Sequence, residues 1–470
     1  MTGLVYDNVG LLMFVVLGLL IFSGLPVAFV LMGVGLAFGL VGYGLGLVRL
    51  ADFGAIYFRV YGTLADSEDI AWSAVPLLIL MGAMLQQSGI ARELLFCLQA
   101  LLRRVPGGLA VAVSLIGVIL APMAGMVGAG VGTLALIALP TMLEQGYKPS
   151  FAAGVVAAAG TLGVALPPGI MLFFLADAMG MQVPFIFLAM IGPGLLLFAL
   201  YVGYYALVSR LDPGAAPTTP SARRPTAPAR PIHFVRGLLL PVGLIALILG
   251  GIIAGWTTLS ESAAIGAAGA VVLAALCGTL SLRRVHAVVV QTTVMTAMVF
   301  LIFVAASVFS LVFRLLGGVD RVAGFLTGLS FGSWGTLALV LGVIFVLGCF
   351  IDWLEIVLIS FVIFRPVLDG LDFSSHIDRP YLAFGWITIL VALALQISFL
   401  TPPFGFALFF LRGAAPPGVR MADIYRGIIP FIVIQLIAIG CVAAIPQLAT
   451  WLPDQLLDLR AAVRGIKAHE

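Results

Sequence analysis

The sequence predicts an all-α polytopic membrane protein built as an inverted repeat, with two re-entrant hairpins and two helices broken by proline pairs. Three observations carry that expectation. Apolar residues make up 62% of the 470-residue chain and charged residues only 9%, where soluble domains sit near roughly 45–50% and about 25%. Apolar stretches of the length needed to cross a bilayer, about 20 residues, recur from end to end. An ordered pair of features, a hairpin followed by a proline-interrupted helix, occurs once in each half.

In chain order, the first apolar run, Leu11–Gly42, follows Asp7 without the basic stretch of a cleavable leader and reads as a retained helix. Val75–Leu85, Gly107–Leu139, Ala152–Phe174 and Phe185–Val208 complete an N-terminal half, residues 1–210. A C-terminal half, residues 237–453, holds Leu238–Ala254, Ala263–Leu280, Val288–Val312, Leu337–Ile363, Ile387–Leu411 and Ile428–Ile445, and a polar tail covers 454–470. Several runs are too long for one crossing or carry a break, so roughly ten to fourteen membrane segments are expected.

Between the halves, residues 211–236 form a linker that begins LDPGAAPTTPSARRPTAPARP, rich in Pro, Ala and Arg and expected to be flexible. Arg210, Arg223, Arg224, Arg230 and Arg236 make its neighbourhood the densest basic cluster in the chain. The excess of positive charge in cytoplasmic loops places it inside the cell. Tracing crossings outward puts Arg92, Arg103, Arg104, Lys148, Arg283, Arg284, Arg412, Arg420 and Arg426 on the same side and both termini outside. That map requires two segments to enter the membrane and turn back.

The first hairpin, about 107–143, has two apolar arms around the tip AGMVGAGVG (Ala124–Gly132), with both ends cytoplasmic. The second, about 334–368, turns around Asp352–Glu355 with both ends external. Each precedes a broken helix: about 150–180, with Pro167-Pro168 in GTLGVALPPG, and about 382–412, with Pro402-Pro403 in SFLTPPFG. Repeats of opposite orientation with discontinuous helices point to a secondary transporter.

Two successive prolines open a helix, and the freed backbone groups can face only protein or a polar cavity. There carbonyls can hold a hard cation, and the next half-helix turns its amides and positive dipole toward an anion. Gly160, Gly163 and Gly405 beside the breaks permit unusual backbone, and Thr161 and Thr401 add hydroxyl oxygens. Gly125, Gly128, Gly130 and Gly132 give the first tip an opened backbone or, alternatively, only close packing. Asp352 and Glu355 are costly at membrane depth and are therefore ion-site candidates, unless the tip lies in an aqueous vestibule. Asp66, Glu68 and Asp69 read as a solvated face, Glu261 as a cap of a helix starting near Ser262, and the four histidines as loop or tail residues.

Other classes are disfavoured. A net charge of +3 from scattered arginines gives no nucleic-acid footprint. Cys97, Cys277, Cys349 and Cys441 are too dispersed for a metal or disulfide motif. There is no GxxxxGK[ST] and no HExxH, and no nucleophile elbow is read, so neither ATP hydrolysis nor another enzyme activity is expected.

Five strings then carry a resemblance: VPLLILMGAMLQQSGIA (Val75–Ala91), LIALPTMLEQGYKPSFAAGVVAAAGTLGVALPPG (Leu136–Gly169), GWTTLSESAAIGA (Gly255–Ala267), FLTPPFGFALFFLRGAAP (Phe399–Pro416) and DIYRGIIPF (Asp423–Phe431). In order and over residues 10–453, the chain resembles the large permease subunit of TRAP, the tripartite ATP-independent periplasmic transporters, nearest a branch labelled for mannitol or chloroaromatic compounds. The resemblance implies an elevator-type, sodium-coupled importer of a small organic anion in a bacterial or archaeal cytoplasmic membrane. It implies a separate small four-helix membrane subunit and a periplasmic substrate-binding protein as partners, and sodium ions but no cofactor.

One implied ion site joins Gly125, Met126 and Gly128 of the first tip to Gly160, Thr161, Gly163, Pro167 and Pro168. The other joins Asp352 and Glu355 to Thr401, Pro402, Pro403 and Gly405. Where family members often have a serine-rich first tip, this chain has AGMVG, and Met126 and Val127 supply no hydroxyl. The docking of the binding protein would include Leu371–Pro380. Arg412 is weighed as a substrate ligand or a membrane anchor. The alternative is a stand-alone anion symporter; a membrane-embedded enzyme or a passive channel fits the pattern less well.

Overall fold

The computed structural model describes residues 2–21, 23–65, 70–102, 104–120, 127–217, 234–328, 331–402 and 405–463. Among these the chain is helical throughout, with no strand. The first group of helices is α1 (Thr2–Ile21), α2 (Val27–Gly44), α3 (Gly54–Ala65), α4 (Ala74–Gln87) and α5 (Ile90–Leu102). The N-terminal hairpin and broken helix follow as α6 (Gly108–Ile119), α7 (Val127–Glu144), α8 (Pro149–Val164) and α9 (Ile170–Met179), then the long α10 (Val183–Leu211). Beyond the linker come α11 (Leu240–Ala254), α12 (Leu259–Leu276), α13 (Leu282–Leu315) and α14 (Gly318–Gly328). The same order of short elements then recurs: α15 (Gly332–Gly348), α16 (Trp353–Asp369), α17 (Pro380–Ser398) and α18 (Phe406–Ala414), ending with α19 (Met421–Ala444) and α20 (Gln447–Val463).

Among the described residues seven helices are long and apolar enough to cross a membrane, or eight counting α4 and α5, which bend by 64° at a short break, as one span. This is fewer than the ten to fourteen segments the apolar runs suggest. The reason is length: α6, α8, α9 and α15 have 10–17 residues, and at about 1.5 Å per residue such helices fall short of a bilayer core of roughly 30 Å. Apolarity marks them as membrane-embedded without making each a crossing.

Helices sort into a frame and an inner body. In the frame, α13 runs along α2 and α4, and α12 lies between α4 and α11. In the inner body, α8 is buried from Phe151 to Val164, flanked by α6 and α7 and crossed by α19. Buried polar contacts fix the body: Ser114 and Tyr205 hydroxyls lie 2.7 Å apart, Gln435 donates to the Tyr201 hydroxyl at 2.8 Å, and Trp386 Nε1 donates to the Val442 carbonyl at 2.7 Å. Tyr205→Phe leaves the Ser114 hydroxyl stranded and is expected to cost about 1–2 kcal/mol, part of which the added change Ser114→Ala restores. Thermal unfolding of the purified protein and both variants checks this.

Some local expectations shift. Glu261 does cap, but the helix begins at Leu259: the Thr258 N–H donates to Glu261 Oε2 at 2.7 Å while Thr258 Oγ1 accepts from the Glu261 N–H at 3.2 Å. The linker is not loose from its first residue. Ser209 Oγ donates to the Ala216 carbonyl at 2.8 Å, the Lys148 N–H donates to Ala215 at 3.1 Å, and Lys148 Nζ lies 2.5 Å from Asp212. That hydrogen bond from Lys148 holds the Asp212 carboxyl below its usual range. Residues 218–233 lie outside the described residues, as do Asp66, Glu68, Asp69, His233 and His469. His286 is the fifth residue of α13, not in a loop. The string GLSFG (Gly328–Gly332) does satisfy G-x-S-x-G, a correction to the motif reading. It joins helix to helix, where a nucleophile elbow joins strand to helix.

Candidate functional site

Both proline pairs stop the helical ladder. In the first break only turn-type bonds remain, from the Leu166 N–H to Gly163 at 3.3 Å and from the Gly169 N–H to Leu166 at 2.8 Å. In the second, Leu400 donates to Ile397 at 3.1 Å, Thr401 to Ser398 at 3.1 Å and Ala407 back to Phe399 at 3.2 Å. Gly405 turns the chain into α18 with φ +43°, where a side chain would meet Leu408 and the Thr401 carbonyl. Thr161 is fully buried and donates to Ala158 at 3.1 Å; Thr401 donates to Ile397 at 3.0 Å. Each hydroxyl oxygen therefore keeps acceptor capacity. Gly125, Met126 and Pro403 lie outside the described residues.

Packing brings the broken helices against the hairpins closely. A Cβ on Gly160 would sit 2.8 Å from Val131 Cα, fixing α8 against α7. At the ends of the two first arms, Gly117 abuts Ala159 and Gly348 abuts Ser398, so the same small-residue contact is made twice. Half-helices are exchanged between the halves: α18 packs on α7, where Gly128 leaves room only for the Phe410 ring, and α9 packs on α16. Phe174 and Trp353 rings lie 5.7 Å apart at that second contact. Consequently Ile170, the first residue after LPPG, meets the Asp352 tip, a pairing that the order of the motifs does not reveal.

The second tip is polar in an apolar setting. Asp352 precedes α16, and its N–H donates to Glu355 Oε2 at 2.9 Å. Its own Oδ1 is out of solvent contact and has no hydrogen-bond partner among the described residues. With Glu355 and Ile170 it borders a cavity of about 30 Å³ closed by Ile79 and by Met295, Met298 and Ile302, large enough for one water or one bare cation. Gln396 and Ser360, both buried, also have unpaired side chains. A lone Gln in the apolar run VALALQISFL was the sequence signal for Gln396, and it was missed.

Farther along the same seam between α13 and α16 lies an open crevice of about 500 Å³. Ser307, Ser310 and Arg314 line it from α13, Arg365 and Asp369 from α16, and Asp177 from the end of α9. Arg314 contacts Ser310 Oγ at 3.5 Å and, among the described residues, forms no ion pair with a carboxylate. Trp72 packs edge-on against Phe303, which lines the crevice, at 4.3 Å, with Phe173, Phe174 and Phe300 around it. Neither arginine stood out in the sequence, because each lies near the end of an apolar run. Arg412, by contrast, donates to the Val419 carbonyl at 2.6 Å and closes the loop after α18.

Comparison with known proteins gives the family of this arrangement of two hairpins, two broken helices and a buried tip carboxyl group with one unpaired oxygen. Residues 14–448 match the family "Tripartite ATP-independent periplasmic transporter, DctM component". The chain belongs to this family. This TRAP large permease is 31% identical to the C4-dicarboxylate TRAP transporter large permease protein of Pseudomonas aeruginosa over 83% of this chain and 88% of that one. It is 27% identical to the sialic acid TRAP transporter large permease protein of Vibrio cholerae, covering 93% and 97%. It is 26% identical to the ectoine TRAP transporter large permease protein of Halomonas elongata, covering 85% and 92%. Among solved structures, the Alcanivorax borkumensis YdaH transporter superposes with TM-score 0.56 at 14% identity, covering 87% of this chain and 90% of that one, a likeness of fold. The TRAP permease is thus a multi-pass membrane transport subunit of the cytoplasmic membrane, not an enzyme.

Proposed function

We propose that this TRAP permease couples an inward sodium gradient to import of a small organic anion by an elevator mechanism. The inner body is the moving part, the frame is the scaffold, both termini are periplasmic, and the two halves are inverted repeats divided at the linker. The observation that carries this reading is the buried, unpaired Oδ1 of Asp352. It lies at a tip that meets the start of half-helix α9 on the seam between body and frame. A carboxyl oxygen buried without a partner is costly to ionise unless a cation joins it, and a bound sodium ion would supply that partner. Sodium would be held there by Asp352 with Glu355 and by the break residues Thr401, Pro402, Pro403 and Gly405. A second ion would be held by Gly125, Met126 and Gly128 of the first tip, through backbone, with Gly160, Thr161, Gly163, Pro167 and Pro168. The substrate carboxylate pairs with Arg314, a crevice cation that no acidic side chain among the described residues neutralises.

As the large component of a tripartite system, the chain works with a small membrane subunit and a periplasmic binding protein that docks on outer loops including Leu371–Pro380. Relatives carry C4-dicarboxylates, sialic acid and ectoine in their names, which supports small polar organic substrates as a class. The test is uptake into proteoliposomes holding this chain and its small subunit, across a panel of organic acids, with and without sodium and binding protein. Uptake is expected only with both; uptake independent of sodium sinks the coupling, and uptake without the binding protein sinks the tripartite dependence.

A further inference from the structure

We propose that the cavity where α8, α10 and α19 meet binds an anionic phospholipid, its phosphate held by Lys148 and Arg426 and an acyl chain lying along the outside of α10. α10 and α19 are both long and apolar enough to cross the membrane. The cavity, of about 450 Å³, is lined by the last turns of α10 and the first turns of α8 and α19. It therefore sits at the ends of two spans, where lipid head groups lie, and not at the depth of the hydrocarbon.

The backbone brings the two cations to one place. Gly427 is pressed against the Ser150 carbonyl, and a Cβ on it would also lie 3.0 Å from the Gly154 nitrogen. Arg426 precedes Gly427 and Lys148 stands two residues before Ser150, so both flank a single helix crossing. Arg426 is exposed and, among the described residues, forms no ion pair. Asp423, the acid on its own helix, is engaged by Arg420 through a backbone N–H at 3.0 Å and the guanidinium at 3.5 Å. Lys148 is bonded to Asp212, but both side chains are about half exposed, and such a pair holds weakly. An ammonium has three donors, and this bond uses one. Lys148 also stands at the N-cap of α8, with no side-chain bond capping the helix, which leaves the first-turn N–H groups of Ser150 and Phe151 open to an anion. Two cations against the one carboxylate of Asp212 give the lining a positive balance. Phe151, Leu207, Val208 and Leu211 add an apolar wall. Leu207 and Leu211, one turn apart, are 54% and 76% exposed, so their side chains face outward from the protein and offer a track for an acyl chain. A soluble anion would leave that track unused, whereas a phospholipid uses both parts. Basic pockets between membrane helices at head-group level suit acidic lipids, and a lipid here would clamp α8, α10 and α19 together.

The test uses this chain purified with its small membrane subunit in neutral detergent and stripped of lipid. Unfolding temperature is followed as dioleoyl phosphatidylglycerol, dioleoyl phosphatidylcholine or glycerol 3-phosphate is added. Phosphatidylglycerol is expected to stabilise the unaltered protein at a concentration about tenfold below phosphatidylcholine, the scale of two partly screened cations. Glycerol 3-phosphate is expected to do nothing at that concentration. Arg426→Gln removes most of the preference while leaving the unfolding temperature without lipid unchanged, because its side chain is exposed. Arg283→Gln takes the same charge from the exposed start of α13, away from the cavity, and keeps the preference. Equal stabilisation by the two lipids, or a preference that survives Arg426→Gln, overturns the site. An equal loss in both arginine variants also overturns it, in favour of the charge of the whole surface. Stabilisation by glycerol 3-phosphate as strong as by phosphatidylglycerol overturns the lipid and leaves a plain anion site.

Discussion

Asp352→Asn is expected to lower sodium-driven uptake roughly a hundredfold, the equivalent of about 3 kcal/mol for removing a charged partner from a buried site. It should also raise the sodium concentration for half-maximal uptake at least about tenfold, with membrane insertion and folding retained. The substitution separates charge from structure because of where the residue sits. Asp352 occupies the N-cap of α16, and asparagine caps a helix about as well as aspartate. The reciprocal bond from its own N–H to Glu355 is made by backbone and survives the change. What disappears is the negative charge on the oxygen that has no partner. Glu355→Gln keeps an acceptor for that N–H and is expected to be the milder of the two. An unaltered sodium titration in Asp352→Asn would reduce the residue to a helix cap and leave the second tip without its proposed ion.

How much of this was legible beforehand follows from what each feature depends on. Proline pairs and tip carboxylates announce themselves, because their consequences are local: a missing N–H stops a helix wherever it occurs, and a charge in an apolar run is conspicuous. The resulting breaks fall at residues 165–169 and 399–405, where the pairs are. The exchange of half-helices between the two halves was not legible. It depends on Gly128 facing Phe410 across 282 residues of chain, and no periodicity encodes such a partner. The same holds for Arg314 and Arg365. Each looks in sequence like an ordinary charge at the end of an apolar helix, and only the packing of α13 beside α16 makes them face one crevice. Gln396 stands between these cases, since a buried amide inside an apolar helix is visible as composition but its lack of a partner is visible only in three dimensions.

That exchange bears on the mechanism. With α9 seated on α16 and α18 on α7, neither broken helix can shift without carrying the other half's hairpin arm. The two proposed ion sites are then mechanically one unit, and a movement against the frame would occur along α13, which borders both the tip cavity and the crevice. Phe303 lies on that helix with Trp72 packed edge-on against it, and apolar faces of this kind would let a body slide without breaking hydrogen bonds.

If the body moves as a unit, what joins its halves must be stiff, and one such tight joint is the crossing of α8 and α19. Gly154 and Gly427 put backbone directly on backbone there: a Cβ on Gly427 would collide with the Ser150 carbonyl and lie 3.0 Å from the Gly154 nitrogen, and one on Gly154 would lie 2.9 Å from the Phe431 ring. Small residues at a membrane helix crossing allow the close approach from which its van der Waals attraction comes. Carbonyls of regular helix cannot retreat as a flexible side chain can, so even a methyl forces the axes apart. Gly427→Ala is expected to cost about 3 kcal/mol or more, the upper end for overpacking, and Gly427→Leu to leave no monodisperse protein. Gly203→Ala on α10, where a Cβ meets open space, should be harmless or slightly stabilising, as alanine is in a helix. Unfolding temperature and chromatographic profile of the three variants decide it. A stable, transporting Gly427→Leu protein would mean that the halves are not joined at this crossing and need not move as one unit through it.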